Sequence, residues 1–152
     1  MTAFELAGQI LILILLLGFS YVMSRYDLKT LAVPDWPYWA GCILVIIVRV
    51  IFYSGSVYLN LISALVLLAV YYGIRLITKN HLGMGDVYFG IFQGLCLAPR
   101  VLWICLAVET GIGAIAYFCV RHTKKIKGMK MPFIPFMSIG LVTAFLIEWF
   151  AF

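Results

Sequence analysis

The sequence predicts an all-α integral membrane protein of one domain, residues 1–152, with six membrane-spanning helices. Hydrophobic residues make up 65% of the chain and charged residues only 11%, whereas a soluble domain has roughly 45–50% apolar and about 25% charged residues. The apolar runs are continuous, which is typical of helices and not of the alternating strands of a membrane β-barrel. Because a chain of this size cannot hide so much apolar surface in its own core, we expect lipid to surround it.

Polar or turn-forming segments separate the apolar runs. Pro34 and Pro37 interrupt the first polar loop, Ser54-Gly55-Ser56 forms a turn, and Pro99 stops the fourth run, because proline breaks a helix interior. A run of about 20 apolar residues is long enough to cross a bilayer, and the fourth run is shorter than the others. The predicted spans are residues 4–23, 38–53, 57–77, 87–98, 101–120 and 132–152.

The basic residues predict the orientation of these spans. The side of the membrane formed by the loops after spans one, three and five, counted with the adjacent span ends, holds nine of the eleven lysines and arginines, and the other side holds Arg49 and Arg100. Cytoplasmic loops carry an excess of basic residues, so both termini are expected outside, in a multi-pass protein of the plasma (inner) membrane. The net charge of +5 is thereby explained by contact with the lipid bilayer, and no nucleic acid partner is predicted. The nine residues are Arg25, Lys29, Arg75, Lys79, Arg121, Lys124, Lys125, Lys127 and Lys130.

The four cysteines indicate neither a metal site nor a cofactor. All of them lie inside apolar runs without a Cys-x-x-Cys pair, so they are interpreted as small buried apolar residues. A disulfide between Cys96 and Cys105, which flank one tight turn, remains an alternative.

Two of the six acidic residues are predicted to form the functional site. Asp27 follows span one and Asp86 precedes span four, so both fall at the cytoplasmic ends of their spans and at the same depth, where a charge is costly unless it is paired or solvated. Two adjacent carboxyl groups share a proton, so one can activate water while the other polarises a carbonyl, as in aspartic proteases. The sequence therefore predicts a catalytic pair that needs no metal and no covalent intermediate.

The helix ends suggest how the two acids differ. Asp86 opens a helix, where the positive end of the dipole favours a carboxylate, and Asp27 is expected to follow the end of a helix, where a carboxylate is disfavoured. Asp86 is therefore predicted to be the more readily ionised acid. Gly83 and Gly85 allow unusual backbone angles and the close approach of a substrate chain.

Other interpretations of the same residues remain open. Gly-x-Gly-Asp alone is also ordinary helix-capping chemistry, and Asp35 fits a solvated turn. Glu109, near the middle of span five, is expected to pair with a base or a hydroxyl. With Arg49 it would also suit the ion path of a small transporter or channel component. A catalytically inactive structural subunit of a pilus or secretion machine is the third alternative, and His81 is expected in a solvated loop.

Three motifs resemble those of one known family, the type IV prepilin peptidases, over essentially the whole chain. Asp27-Leu28-Lys29-Thr30 with Val33-Pro34-Asp35 resembles the first motif, and Gly83-Met84-Gly85-Asp86-Val87 resembles the second, Gly-x-Gly-Asp, motif. Pro132-Phe133-Ile134-Pro135-Phe136, followed by Gly140, is similar to the start of the family's last span. The resemblance implies a GxGD-type membrane aspartic protease fold in which Asp27 and Asp86 are catalytic. The supporting motif residues are Gly83, Gly85, Lys29, Pro34, Pro132 and Pro135.

The resemblance also implies an activity. Such endopeptidases remove the short basic leader from type IV prepilins, pseudopilins or preflagellins at the cytoplasmic membrane face, before pilus assembly or protein secretion, without a cofactor. The partner is then a prepilin-like protein with an N-terminal apolar helix, and no oligomeric state is implied. Tyr88 stands where many relatives carry Lys, and Ile134 where Gly is common. The Cys-x-x-Cys region of larger members has no counterpart, so the short form is indicated and N-methyltransferase activity is not implied.

Overall fold

The computed structural model describes residues 3–30, 34–79, 81–124 and 132–151. These residues form helices joined by short connections, without a strand among them. A short 3₁₀ turn, Pro99–Val101, precedes the fifth α-helix. The helices are α1 (Ala3–Thr30), α2 (Trp36–Tyr53), α3 (Val57–Ile77), α4 (Met84–Cys96), α5 (Leu102–Lys124) and α6 (Ile134–Ala151).

Within the described part of the chain, five helices are long and apolar enough to cross a membrane: α1, α2, α3, α5 with its preceding turn, and α6. The outer faces of these helices expose large apolar side chains such as Ile77 and Trp103, as expected for a protein surrounded by lipid. The remaining helix, α4, has 13 residues and is about 20 Å long at 1.5 Å per residue. It is shorter than the hydrocarbon core of a bilayer, which is about 30 Å thick.

The helix bounds differ from the predicted spans most clearly in α1 and α4. We predicted that the first span ends at residue 23, but α1 continues to Thr30. No proline or glycine lies between residue 23 and Pro34 to end the helix earlier. Asp27 therefore lies in the last turn of α1 and does not follow its end. The fourth span was predicted to begin at residue 87, but α4 begins at Met84, so Asp86 lies in its first helical turn.

The other spans were placed within a few residues of the helices. The second was predicted to begin at residue 38 and begins at Trp36, the fifth extends past residue 120 to Lys124, and the last begins at Ile134 instead of residue 132. The third span, 57–77, has the predicted bounds.

The central helix, α4, packs against α3 with almost no space between the two backbones. A Cβ atom added to Gly94 would lie 2.3 Å from the Cα atom of Ala64, and one added to Gly90 would lie 2.2 Å from the Tyr71 ring. Glycines four residues apart let membrane helices approach closely. This Gly-x-x-x-Gly pair, which was not predicted from the sequence, fixes the position of α4 and hence of Asp86 at its start.

We expect Gly94→Ala to destabilise the protein by about 1–3 kcal/mol, the usual cost of forcing an extra methyl group into a packed contact. The atoms in its way belong to the α3 backbone and cannot rotate aside. Unfolding by denaturing detergent in mixed micelles would measure the loss. Gly73→Ala is the matched control, because nothing lies within 4 Å of a Cβ atom there and alanine is the better helix former. Equal stability of the two variants would contradict this packing.

The C-terminal end of α4 lies inside the bundle, and three polar side chains satisfy its backbone. Arg49 Nη2 donates to the Cys96 carbonyl at 2.5 Å, Asn60 Nδ2 donates to the Leu97 carbonyl at 3.0 Å, and the Ala98 amide donates to Glu148 Oε2 at 3.0 Å. The Arg49 side chain is only 5% exposed, so it lies inside the bundle and does not extend to the membrane interface. A helix end away from water needs such partners, and these allow α4 to stop early.

Candidate functional site

Polar groups from four helices meet where α1 ends and where α2, α4 and α6 begin. Asp27, in the last turn of α1, is 8% exposed, and its Oδ2 atom accepts a hydrogen bond of 3.1 Å from the Ile134 amide. Ile134 is the first residue of α6, where amides have no partner within the helix. Asp27 therefore caps α6 from a position 107 residues earlier in the chain.

Asp86 occupies the first turn of α4, outside the five helices that are long enough to cross a membrane. Its Oδ2 atom accepts a hydrogen bond of 3.1 Å from the Gly83 amide. Burial and, after it, the negative charge of Asp27 raise the pKa of Asp86 to about 7, and the hydrogen bond from the Gly83 amide partly opposes this rise. The two predicted acids thus lie close enough for the charge of one to favour a proton on the other.

The structure changes the premises of the prediction that Asp86 is the more readily ionised acid. Asp27 was expected to meet only the negative end of α1, but its carboxylate lies at the positive N-terminal end of α6, which favours the ionised form. Asp86 does lie at a helix N-terminus, as predicted, yet its burial beside Asp27 raises its pKa. We now expect Asp86 to be the weaker acid, which keeps its proton as the pH rises towards 7, and Asp27 to ionise first.

This coupling predicts that Asp27→Asn lowers the pKa of Asp86. The substitution removes the charge that raises this pKa and keeps an oxygen that can accept from the Ile134 amide. NMR titration of a ¹³C-labelled Asp86 carboxyl group in lipid nanodiscs would follow the change. Asp35→Asn, at an exposed position, is the control. An unchanged pKa in Asp27→Asn would mean that the two carboxyl groups do not interact.

The two glycines before Asp86 are explained by neighbouring side chains that lie close to their backbone, and not by unusual backbone angles. Neither Gly83 nor Gly85 has a positive φ. A Cβ atom on Gly83 would lie 3.2 Å from Asp86 Oδ2, and one on Gly85 would lie 3.0 Å from the Tyr38 hydroxyl. Sequence reasoning missed Tyr38, because an aromatic residue in an apolar run is usually a core residue.

The remaining motif residues surround the same end of the bundle. Lys29 and Pro34 are exposed on either side of the α1–α2 connection, and Pro132 is half-buried just before α6. Pro135 lies in the first turn of α6, where proline is tolerated because its missing N–H would have no helical partner. Val33, Asn80 and the basic segment 125–131, which contribute to the predicted motifs and orientation, lie outside the described residues.

Two other polar residues near this end of the bundle, Asp35 and His81, are exposed. Asp35 is exposed before α2, and its side chain makes no capping hydrogen bond. His81 is exposed, as expected, and its ring bonds to the Thr78 carbonyl.

Glu109 is fully buried among α3, α4, α5 and α6. It accepts hydrogen bonds from the Tyr71 hydroxyl and, at 3.0 Å, from Gln93 Nε2, which also donates to the Met137 carbonyl at 3.0 Å. The expectation that Glu109 pairs with a hydroxyl group is confirmed. Sequence reasoning missed Gln93, for which an amide inside an apolar run was the available signal. We call Glu109, Gln93 and Tyr71 the buried polar cluster.

Cys42, Cys96 and Cys105 are buried free thiols, so the disulfide left open by the sequence is not formed. Cys119 is exposed, so the interpretation of all four cysteines as buried residues is wrong for Cys119. Among the residues that the structure describes, no three His, Cys, Asp or Glu side chains come together as a metal site would require. No protein-family model, curated protein or solved structure matches the chain.

Proposed function

We propose that this protein is a membrane aspartic endopeptidase that removes the short basic leader from type IV prepilin-like, pseudopilin-like or preflagellin-like proteins at the cytoplasmic face of the plasma membrane. The observation that carries the proposal is the juxtaposition of Asp27 and Asp86, in which the charge of one raises the pKa of the other. The motif resemblance supplies the substrate class.

The two acids differ in the way that hydrolysis requires. Asp27, ionised, takes a proton from a water molecule whose oxygen attacks the scissile carbonyl carbon. Asp86, protonated, gives its proton to the carbonyl oxygen, producing a neutral gem-diol. When the C–N bond breaks, Asp27 returns its proton to the leaving amine and Asp86 recovers one from the gem-diol, so one water is consumed and both acids return to their initial states.

A groove between α1 and α6 offers a place for the apolar helix of the substrate. Ser20 and Ser24 line it from α1, and Ser138 and Thr143 line it from α6. Ser24 and Ser20 lie about one and two turns before Asp27 on α1, so a helix in this groove would point one end at the acids. Small hydroxyl side chains favour close contact between membrane helices.

The proposed topology has six passes, with α4 as the short one and both termini outside. The acids then lie on the side of the bundle that carries most of the basic residues, which is the cytoplasmic side. A basic leader held at this face would lie close to the negatively charged pair.

A transporter with Glu109 and Arg49 as path residues has less support. Glu109 is fully buried and hydrogen-bonded to its neighbours, and Arg49 is buried against the Cys96 carbonyl. Both side chains hold helices together through these hydrogen bonds.

The test is cleavage, in lipid nanodiscs, of a peptide that joins a basic leader, a glycine and an apolar helix. The wild type is expected to cut after the glycine, and Asp27→Asn and Asp86→Asn are expected to lose this activity while remaining folded. Asp35→Asn is expected to cleave normally. Absence of cleavage by the folded wild type across prepilin, pseudopilin and preflagellin sequences would refute the proposal.

A further inference from the structure

The Tyr38 hydroxyl is a buried polar group without a hydrogen-bond partner among the described residues. The Tyr38 side chain is 1% exposed, and its oxygen is one of three buried side-chain atoms in the described chain that lack a partner. Buried hydroxyl groups are nearly always hydrogen-bonded, and an exception in a folded protein calls for an explanation. A partner that arrives with the substrate would provide one.

The position of this hydroxyl points to the two acids. It lies 3.0 Å from where a Cβ atom of Gly85 would be, and Gly85 immediately precedes Asp86. Of the charged groups around it, Asp86 from α4 acts most strongly on the hydroxyl, followed by Asp27 from α1 and then Asp35 from the start of its own helix.

Two neighbouring rings hold the Tyr38 ring in place. Phe19 of α1 lies edge-on at 6.1 Å between ring centroids, and Tyr88 of α4 lies at 5.9 Å. The hydroxyl is therefore carried by a fixed ring at the junction of α1, α2 and α4, and little reorganisation is needed before it can act.

We propose that Tyr38 is a third catalytic residue, whose hydroxyl donates a hydrogen bond to the carbonyl oxygen of the scissile peptide bond. The inference rests on the proposed peptidase function and adds to it. In each acid the Oδ2 atom already accepts a hydrogen bond from a backbone amide. The Tyr38 hydroxyl has no hydrogen-bond partner among the described residues. It would stabilise negative charge that develops on the carbonyl oxygen while Asp86 delivers its proton.

The proposed role of Tyr38 explains why residue 85 is a glycine. An alanine at position 85 would place its Cβ atom 3.0 Å from the Tyr38 oxygen, which is tighter than ordinary van der Waals contact and would displace the hydroxyl. The second glycine of the Gly83-Met84-Gly85-Asp86 stretch thus keeps the space in which the hydroxyl sits.

Tyr38→Phe tests the donor, because it removes the oxygen and keeps the ring. We expect kcat for the leader peptide to fall about 10²-fold, the usual loss for one oxyanion donor, with KM within about twofold of wild type. Unfolding stability should be unchanged or higher, because an unsatisfied buried polar group is removed. Tyr72→Phe, at an exposed tyrosine of α3 outside the site, should keep the wild-type kcat.

Retention of wild-type kcat in Tyr38→Phe, when the wild type cleaves the peptide, would overturn this inference and leave the peptidase proposal intact. Absence of cleavage by the folded wild type would overturn both. A loss in Tyr38→Phe that appears only in KM, or is matched by lost stability, would assign the hydroxyl a structural role and also refute the inference.

A double-mutant cycle tests the placement of the hydroxyl without substrate. Gly85→Ala is expected to lower unfolding stability, because its Cβ atom meets the Tyr38 oxygen. Adding Tyr38→Phe removes that oxygen and should recover most of the loss. Additive effects would show that the hydroxyl does not lie against Gly85, and the inference would fail at its first step.

Discussion

Asp86→Asn is expected to reduce leader cleavage by about 10²–10⁴-fold, the range for a lost general acid, and to increase the stability of the folded protein at pH 8. The folded protein raises the pKa of Asp86 from 3.8 to about 7, so folding favours the protonated form. This contribution to stability is present at low pH and is lost as the pH rises through about 7. Above that pH the ionised carboxyl group destabilises the fold, and asparagine removes this cost.

The expected gain in the free energy of unfolding is about 1–3 kcal/mol at pH 8, allowing for partial exposure of the side chain. It should vanish near pH 4, where the carboxyl group is protonated in the folded protein. Asparagine can still accept from the Gly83 amide, so the cap on α4 is retained. Unfolding in mixed micelles at both pH values and the cleavage rate of the same preparation measure the two effects. A gain that does not depend on pH would contradict the raised pKa.

Glu109→Ala is expected to lower the free energy of unfolding by about 2–4 kcal/mol. The substitution leaves a cavity and removes the acceptor used by Tyr71 and by Gln93 Nε2, and buried groups left without partners cost about 1–3 kcal/mol each. Tyr71 keeps one alternative, the Oε1 atom of Gln93 at 3.1 Å, which limits the loss. Detergent unfolding monitored by near-ultraviolet circular dichroism would measure it.

Glu109→Gln is the matched variant. Its amide oxygen can accept from Gln93 Nε2, and its amide nitrogen can donate to the Tyr71 hydroxyl, which then donates to Gln93 Oε1. We therefore expect near-normal stability and near-normal cleavage. If Glu109→Gln folded normally but lost activity while the Asp27 and Asp86 variants kept theirs, the functional site would be the buried polar cluster and not the predicted pair.

The number of apolar segments and the prominence of Asp27 and Asp86 could be predicted from the sequence, because charges are scarce in this chain and each one between apolar runs stands out. The contact between Asp27 and the Ile134 amide could not be predicted. It depends on how α1 packs against α6, and the continuation of α1 past residue 23 was overlooked. For the same reason, the N-terminal end of α6 beside Asp27 was left out of the prediction of which acid ionises more readily, which considered only the helix that carries Asp27.

Tyr38 illustrates a second limit. Its side chain resembles any other aromatic residue of an apolar helix, and only the fold reveals that its oxygen is buried beside Gly85 without a partner. The buried polar cluster could be predicted in part. The sequence indicated that Glu109 needs a partner, but Tyr71 and Gln93 could be identified as its partners only from the packing of α3 and α4 against α5.

The capped end of α4 has a consequence for the biogenesis of the protein. Alone, α4 is too short to span a bilayer, and it would expose Gln93 and three uncapped backbone groups to lipid, where such groups are costly. Its partners Arg49 and Asn60 precede it in the chain, but Glu148, which accepts the Ala98 amide, is synthesised 50 residues later. We therefore expect stable integration of α4 in the membrane to require α6. A nascent chain truncated before α6 would present α4 to the quality-control proteases of the membrane.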